Sequence, residues 1–318
     1  MNEPDDEFSF LSDQAHDAGI TSEVPRGERI NLQLADGRRL SALRYHPPGS
    51  QATSPAVTLL HGAGLNAHTW DTTIVALGLP ALAIDLPGHG DSSWRKDANY
   101  VAETLWPDVA AAMDAWTDGP QLLVGHSLGG LTAAAVAAER TDLVRDLMIV
   151  DITPGVSLDE GPSELSAFFA GPTDWATRDE LVDRAISFGF GGGSREKVER
   201  GVYFNSRIRA DGRVEWKHHF AHLAAAMSKT NDEAPEPTAA PLPVASSLGA
   251  PGWRDLSGVS APITLIRGER GYVSDANLAE FRSRVASASI IPMRSGHNPQ
   301  EEIPRELADQ IAKHAIDA

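Results

Sequence analysis

A serine hydroxyl attacks poorly near neutral pH unless a base removes its proton and nearby donors hold the charge that forms. The stretch "LLVGHSLGGLTAA" (Leu122 to Ala134) sets one serine among glycines, between an apolar run and an Ala-rich run. Leu122 to Val124 reads as a short buried strand, and Ser127 onward reads as a helix. A sharp turn between them strains the middle residue and leaves no room for neighbouring side chains. Gly125, Gly129 and Gly130 meet that need. The pattern Gly125-His126-Ser127-Leu128-Gly129 is therefore read as a turn that exposes the Ser127 hydroxyl. The plain alternative is a Gly-rich turn with an incidental serine; the flanking strand and helix favour the nucleophile.

A serine so placed needs a base, and the chain has eleven histidines. His61, His89 and His126 lie in glycine-rich turns, and His126 flanks the serine, so its side chain is expected to point elsewhere. His297 lies in "MRSGHNPQEEIP", after the last apolar run and before the last helix, on the same face as Ser127. It is the candidate base. A carboxylate must then orient the imidazole and stabilise its charge. Asp151 ends the run "LMIVD", 24 residues after Ser127, so its strand should neighbour that of the serine. Asp151 ranks first, ahead of Asp275 and Glu269, which follow the run "ITLIRGE". Two backbone N–H groups are needed for the oxyanion. Leu128, the residue after the serine, supplies one. Ala63, in the "LLHGAGLNAH" turn, is the candidate for the other.

Other motifs are weaker. His218 and His222 in "KHHFAH" are four apart, as metal ligands on a helix can be, but nothing completes a ligand set. No metal and no cofactor are expected. "GFGGGS" (Gly189 to Ser194) lacks the Lys-Ser/Thr of a phosphate-binding loop and reads as a loop of an inserted segment.

The 318 residues fit one α/β domain with an insertion. The net charge of −17 argues against nucleic-acid and anionic-membrane partners. The absence of cysteine excludes disulfides and thiolate chemistry. No signal peptide and no apolar stretch of about 20 residues are visible, so a cytoplasmic protein is expected. Oligomeric state is left open.

Apolar runs at "AVTLLHG", "ALAIDLPG", "QLLVGHS", "DLMIVDITP" and "PITLIRGE" alternate with helical patterns such as Ala98 to Trp116. That grammar predicts a mostly parallel sheet with helices on both faces, whose ligands sit beyond the strand carboxyl ends. "INLQLADGRRLSALRY" reads as a hairpin turning at Asp36-Gly37. Residues 1–28 read as an acidic, disordered tail. Residues 29–154 and 255–318 read as the core. Residues 155–254 read as an inserted, mostly helical cap with a Pro-rich linker at 230–252. Most of the cap's aromatic residues are expected to form its own core.

Taken in order, "HGAG", "DLPGHGDS", "GHSLGG", "VDITP" and the late "GH" resemble the α/β-hydrolase superfamily, over residues 30 to 318. The resemblance implies a mostly parallel eight-stranded sheet, a helical cap after strand six and a Ser–His–acid triad, with Ser127 and His297 matching directly. Many members carry the acid after strand seven; here Gly271 and Tyr272 stand at that place. Some esterases and lactone hydrolases of the superfamily carry it after strand six, which supports Asp151. Asp85 resembles a structural loop residue of the family. The expected activity is serine-dependent hydrolysis of a small or medium carboxylic ester or lactone. The alternatives are a carbon–carbon bond hydrolase, a cofactor-free dioxygenase, and a hydrolase-like ligand receptor with little turnover.

Overall fold

The computed structural model describes residues 6–156, 167–190, 194–232, 247–248 and 252–316. Much of the Pro-rich stretch at 230–252 lies outside them, as does part of "GFGGGS".

Eight strands form the main sheet: β1 (Arg26–Gln33), β2 (Arg39–His46), β3 (Val57–Leu60), β4 (Ala81–Asp85), β5 (Gln121–His126), β6 (Val144–Val150), β10 (Ile263–Gly268) and β11 (Ser289–Met293), in the order β1-β2-β4-β3-β5-β6-β10-β11. The first two form the expected hairpin, and β2 also runs antiparallel to β4. All remaining neighbours are parallel.

Alternate residues of the central strands enter different layers. On β5, Leu123 packs in one layer with Val109, Met113 and Leu131. Leu122 and Val124 pack in the other, with Trp70, Ile74, Leu307 and Ile311. Period-two alternation with both faces covered requires apolar residues at every position, which explains the unbroken runs in the sequence. Helices α2 (Asp71–Leu77) and α11 (Pro304–Ile316) supply one cover. Helices α3 (Ala102–Trp116) and α4 (Leu128–Glu139) supply the other.

The insertion is not purely helical. It carries a three-stranded antiparallel sheet of β7 (Asp174–Trp175), β9 (Val214–Trp216) and β8 (Ser206–Ile208). Helices α5 (Arg178–Ser187), α6 (Arg195–Asn205) and α7 (Phe220–Asp232) accompany it. Of its aromatics, Phe168, Phe169, Trp175, Phe204, Trp216 and Phe220 are buried and Phe188 and Phe190 are exposed, but they do not simply form a core of their own: Phe169 covers Gly64, Phe204 stacks on His68 and Phe220 packs on His89. Among the described residues no helix is long and apolar enough to cross a membrane.

The segment read as a disordered tail differs from expectation. Residues Glu7–Phe10 form a 3₁₀ turn and Leu11–Asp17 form helix α1, with Leu11, Gln14 and Ala15 buried. Apolar residues interleave the acidic ones here and supply the burial that charge alone does not. Phe8 covers Gly27, where a Cβ would lie 2.1 Å from its ring. Glu7 bonds Arg29 at 2.6 Å and His68 at 3.1 Å. Phe10 meets Tyr203 and Phe204 of the cap, each with ring centres 5.5 Å apart. Asp17 pairs with Arg200 at 3.1 Å. The acidic segment thus bridges helix α6 and the β1–β2 side of the main sheet. Burial opposes ionisation of Glu7, but its bonds from His68 and Arg29 outweigh that and hold its pKa down at about 2. Its stabilisation is therefore complete above the ordinary glutamate value of 4.5 and is lost as pH falls toward about 2. Glu7→Gln should cost about 1–3 kcal/mol near neutrality. In thermal unfolding, the gap between wild type and variant should narrow below about pH 4; a gap independent of pH would contradict this role.

Candidate active site

The parallel strands deliver the predicted residues to one edge of the sheet. Ser127 follows β5, Asp151 follows β6, His297 follows β11, and the His61–Ala63 turn follows β3. Ser127 adopts φ 52° and ψ −120°, a conformation unfavourable for a side-chain-bearing residue. Such geometry costs about 1–3 kcal/mol and persists only when its surroundings enforce it. Here the enforcement is steric. A Cβ at Gly125 would lie 2.2 Å from the Gly129 carbonyl oxygen, and one at Gly129 would lie 2.5 Å from the Leu60 carbonyl oxygen. The Ser127 N–H donates to the Val150 carbonyl at 3.1 Å, tying the turn to the neighbouring strand.

The β3 exit presses against this turn. A Cβ at Gly62 would lie 3.2 Å from the Ser127 Cβ. Ala63 and Leu128 are both buried beside it. Among the described residues, neither of their N–H groups donates to another group. His61 is fixed below them: its Nε2 accepts from the Leu86 N–H at 3.0 Å and its Nδ1 faces the Gly62 carbonyl at 2.8 Å. Burial lowers its pKa to about 4, so it is neutral.

His297 and Asp151 meet directly, with Nδ1 2.8 Å from Oδ2. Asp151 is fully buried and, like Ser127, has positive φ, at 50°. Its Oδ1 accepts from the Gly268 N–H at 2.9 Å and its Oδ2 from the Tyr272 N–H at 2.7 Å. The carboxylate is thus desolvated but supplied with donors, the condition under which a buried charge is tolerated. The other candidate acids lie elsewhere. Asp275 is 94% exposed at its side chain and pairs with Arg267 at 2.7 Å. It opens helix α9 (Asp275–Arg284) after a Ser274 cap, so it occupies a helix start on the surface. Glu269 is exposed.

Three contributors were not foreseen. A Cβ at Gly271 would sit 2.0 Å from Asp151 Oδ2, so the carboxylate from β6 fills the space that a side chain at 271 would take. Tyr272 lies flat on His297, ring centres 3.5 Å apart and planes 9° apart. His126 does turn away from the serine, but to a purpose: its Nε2–H donates to the His297 carbonyl at 2.8 Å. Burial holds His126 well below the ordinary histidine value, which keeps it neutral. The missing acid in "RGERGY" was the legible sign that Gly271 yields its space; the stacking of Tyr272 had no sign.

The remaining motifs stand outside the Ser127, His297 and Asp151 group. Asp85 is buried and accepts from Arg29 at 2.9 Å, the Ala67 N–H at 2.8 Å and the Asp91 N–H at 3.0 Å, a loop-bracing role. His218 is buried, whereas His222 lies 3.6 Å from Glu215. No set of three metal-ligating side chains gathers among the described residues.

Gly271→Ala should push the Asp151 carboxylate off its donors and cost about 2–4 kcal/mol. Chemical denaturation measures this; an unchanged midpoint would mean that the carboxylate has room the geometry denies it.

Residues 59–310 match the model of the Alpha/beta hydrolase family. The chain is 35% identical to Esterase Rv0045c of Mycobacterium tuberculosis, covering 96% of this chain and 94% of the esterase. A solved structure of that M. tuberculosis esterase superposes with a TM-score of 0.78 at 33% identity, covering 98% of this chain and 99% of the other. The chain is also 27% identical to the mouse sn-1-specific diacylglycerol lipase ABHD11, over 85% of this chain and 83% of the lipase. Sheet order, the strained turn and these matches agree: the chain belongs to the alpha/beta hydrolase family.

Proposed function

We propose that this protein hydrolyses small or medium carboxylic esters, lactones included, through an acyl-enzyme on Ser127. The observation that carries the reading is the buried Asp151 held 2.8 Å from His297 Nδ1, at the sheet edge where Ser127 is strained outward. The similarity to a named esterase along nearly the whole chain supports the same class.

With Asp151 accepting at Nδ1–H, His297 presents a bare Nε2. That nitrogen takes the Ser127 proton as Oγ attacks the acyl carbon. Negative charge then develops on the carbonyl oxygen, where the N–H groups of Leu128 and Ala63 are available to receive it. They need no rearrangement when the charge forms, which is the condition for large electrostatic stabilisation. Collapse expels the alcohol, which takes the proton from His297. Water, activated by the same imidazole, attacks the acyl-enzyme and frees Ser127. Asp151 holds the Nδ1–H in place and stabilises the imidazolium. A cap strapped onto the core favours a substrate of limited size. A cytoplasmic setting fits the composition.

Turnover of p-nitrophenyl acetate, butyrate and octanoate tests this reading. Ser127→Ala should abolish it. Asp151→Asn should lower kcat by about 10²–10⁴, whereas Asp275→Asn should stay within about threefold, as surface substitutions do. No wild-type turnover on any ester, or equal losses in the two Asp variants, would refute the assignment.

A further inference from the structure

Two histidines that the proposed chemistry does not use carry unmet hydrogen-bonding capacity in one place. His218 is 1% exposed, and among the described residues neither of its ring nitrogens has a partner. Aromatic rings surround it: Phe169 at 4.3 Å, Trp216 at 5.4 Å and Phe220 at 6.4 Å between ring centres. His89, on the loop after β4, is fully buried and packs on Phe220 at 5.1 Å. Its Nδ1 faces the Pro87 carbonyl at 3.1 Å, which fixes the proton there, while its Nε2 has no partner among the described residues. Both rings therefore share Phe220 as a neighbour. The bond from the His219 N–H to the Gly88 carbonyl, 2.9 Å, fastens the cap to the His89 loop beside them.

This group adjoins the reaction centre. Phe169, the nearest neighbour of His218, covers Gly64, where a Cβ would lie 2.2 Å from its ring. Gly64 directly follows Ala63. His89 also packs on His61 at 5.1 Å. A buried polar atom without a partner costs about 1–3 kcal/mol, and native proteins retain such atoms where something else completes them. Burial keeps both imidazoles neutral, His89 at about 3 and His218 well below the ordinary value. His89 Nε2 therefore offers a lone pair, and His218 offers one N–H and one lone pair. A carboxylate cannot donate to those lone pairs. A hydroxyl or a carboxamide can donate to one ring and accept from the other.

We propose that His218, together with His89, is a specificity-determining residue that receives a hydroxyl or carboxamide carried by the substrate a few bonds from its ester. The inference rests on the ester-hydrolase reading above. The test compares p-nitrophenyl butyrate with the p-nitrophenyl esters of 3-hydroxybutyrate, succinamate and succinate, and with a matching set of butyrates bearing the polar group on the alcohol. In one of the two sets, wild type should favour the hydroxyl or amide ester at least about tenfold in kcat/KM over the alkyl ester, the size expected when buried polar groups are satisfied by one substrate and not the other. His218→Phe should erase most of that ratio, in which any general loss of activity cancels. Its melting temperature should not fall, because two unpartnered nitrogens are removed. His218→Gln, which keeps a donor and an acceptor, should retain the preference. The proposal is overturned by a ratio that survives His218→Phe, by no polar preference in either set, or by a preference for the succinate ester. Calorimetric binding of the same esters to Ser127→Ala reads the preference without turnover. A failure of hydrolysis altogether would therefore count against the ester-hydrolase reading and leave this one separately decided.

Discussion

The carboxylate of Asp151 is the constraint on which the site depends. It is buried, so it is tolerated only because Gly268, Tyr272 and His297 all donate to it. Each donor belongs to a different part of the molecule's edge: the end of β10, the loop after it, and the loop after β11. One anion therefore draws three segments together. It also explains the local composition. Position 271 must be glycine because the carboxylate occupies its side-chain space. Asp151 adopts positive φ at a strand end, a strain that these bonds repay.

Around that anion the histidines divide by environment. His61 and His126 are buried without charged partners, and burial lowers the pKa of each. They act as neutral struts under the turns that carry Ala63 and Ser127. His297 is paired with a buried carboxylate and covered by a parallel aromatic ring at the sheet edge; His68 has the same kind of partners, Asp71 and Phe204, but also bonds Glu7 in the N-terminal segment. Identical side chains so acquire different tasks through position alone.

Much of this was legible in the sequence. The glycine spacing around Ser127 announces a steric requirement that no other arrangement explains well, and the apolar runs announce a sheet covered on both faces. Asp151 could be ranked above Asp275 because a residue ending a strand run lies at the sheet edge. Asp275, by contrast, opens a helix after a serine cap and faces outward. Less legible were features that depend on distant partners. The segment at Glu7–Asp17 reads as polar by composition, yet Phe8, Phe10 and Leu11 anchor it to core and cap. The short strands of the cap, two or three residues each, are too brief for periodicity to register.

The most direct test of the central claim is covalent labelling by a fluorophosphonate ester, followed by intact mass and peptide mapping in wild type and Asp151→Asn. One phosphonyl group per chain is expected, on Ser127, formed at least about a hundredfold more slowly in the variant. Labelling at another residue, or at an undiminished rate in Asp151→Asn, would contradict it.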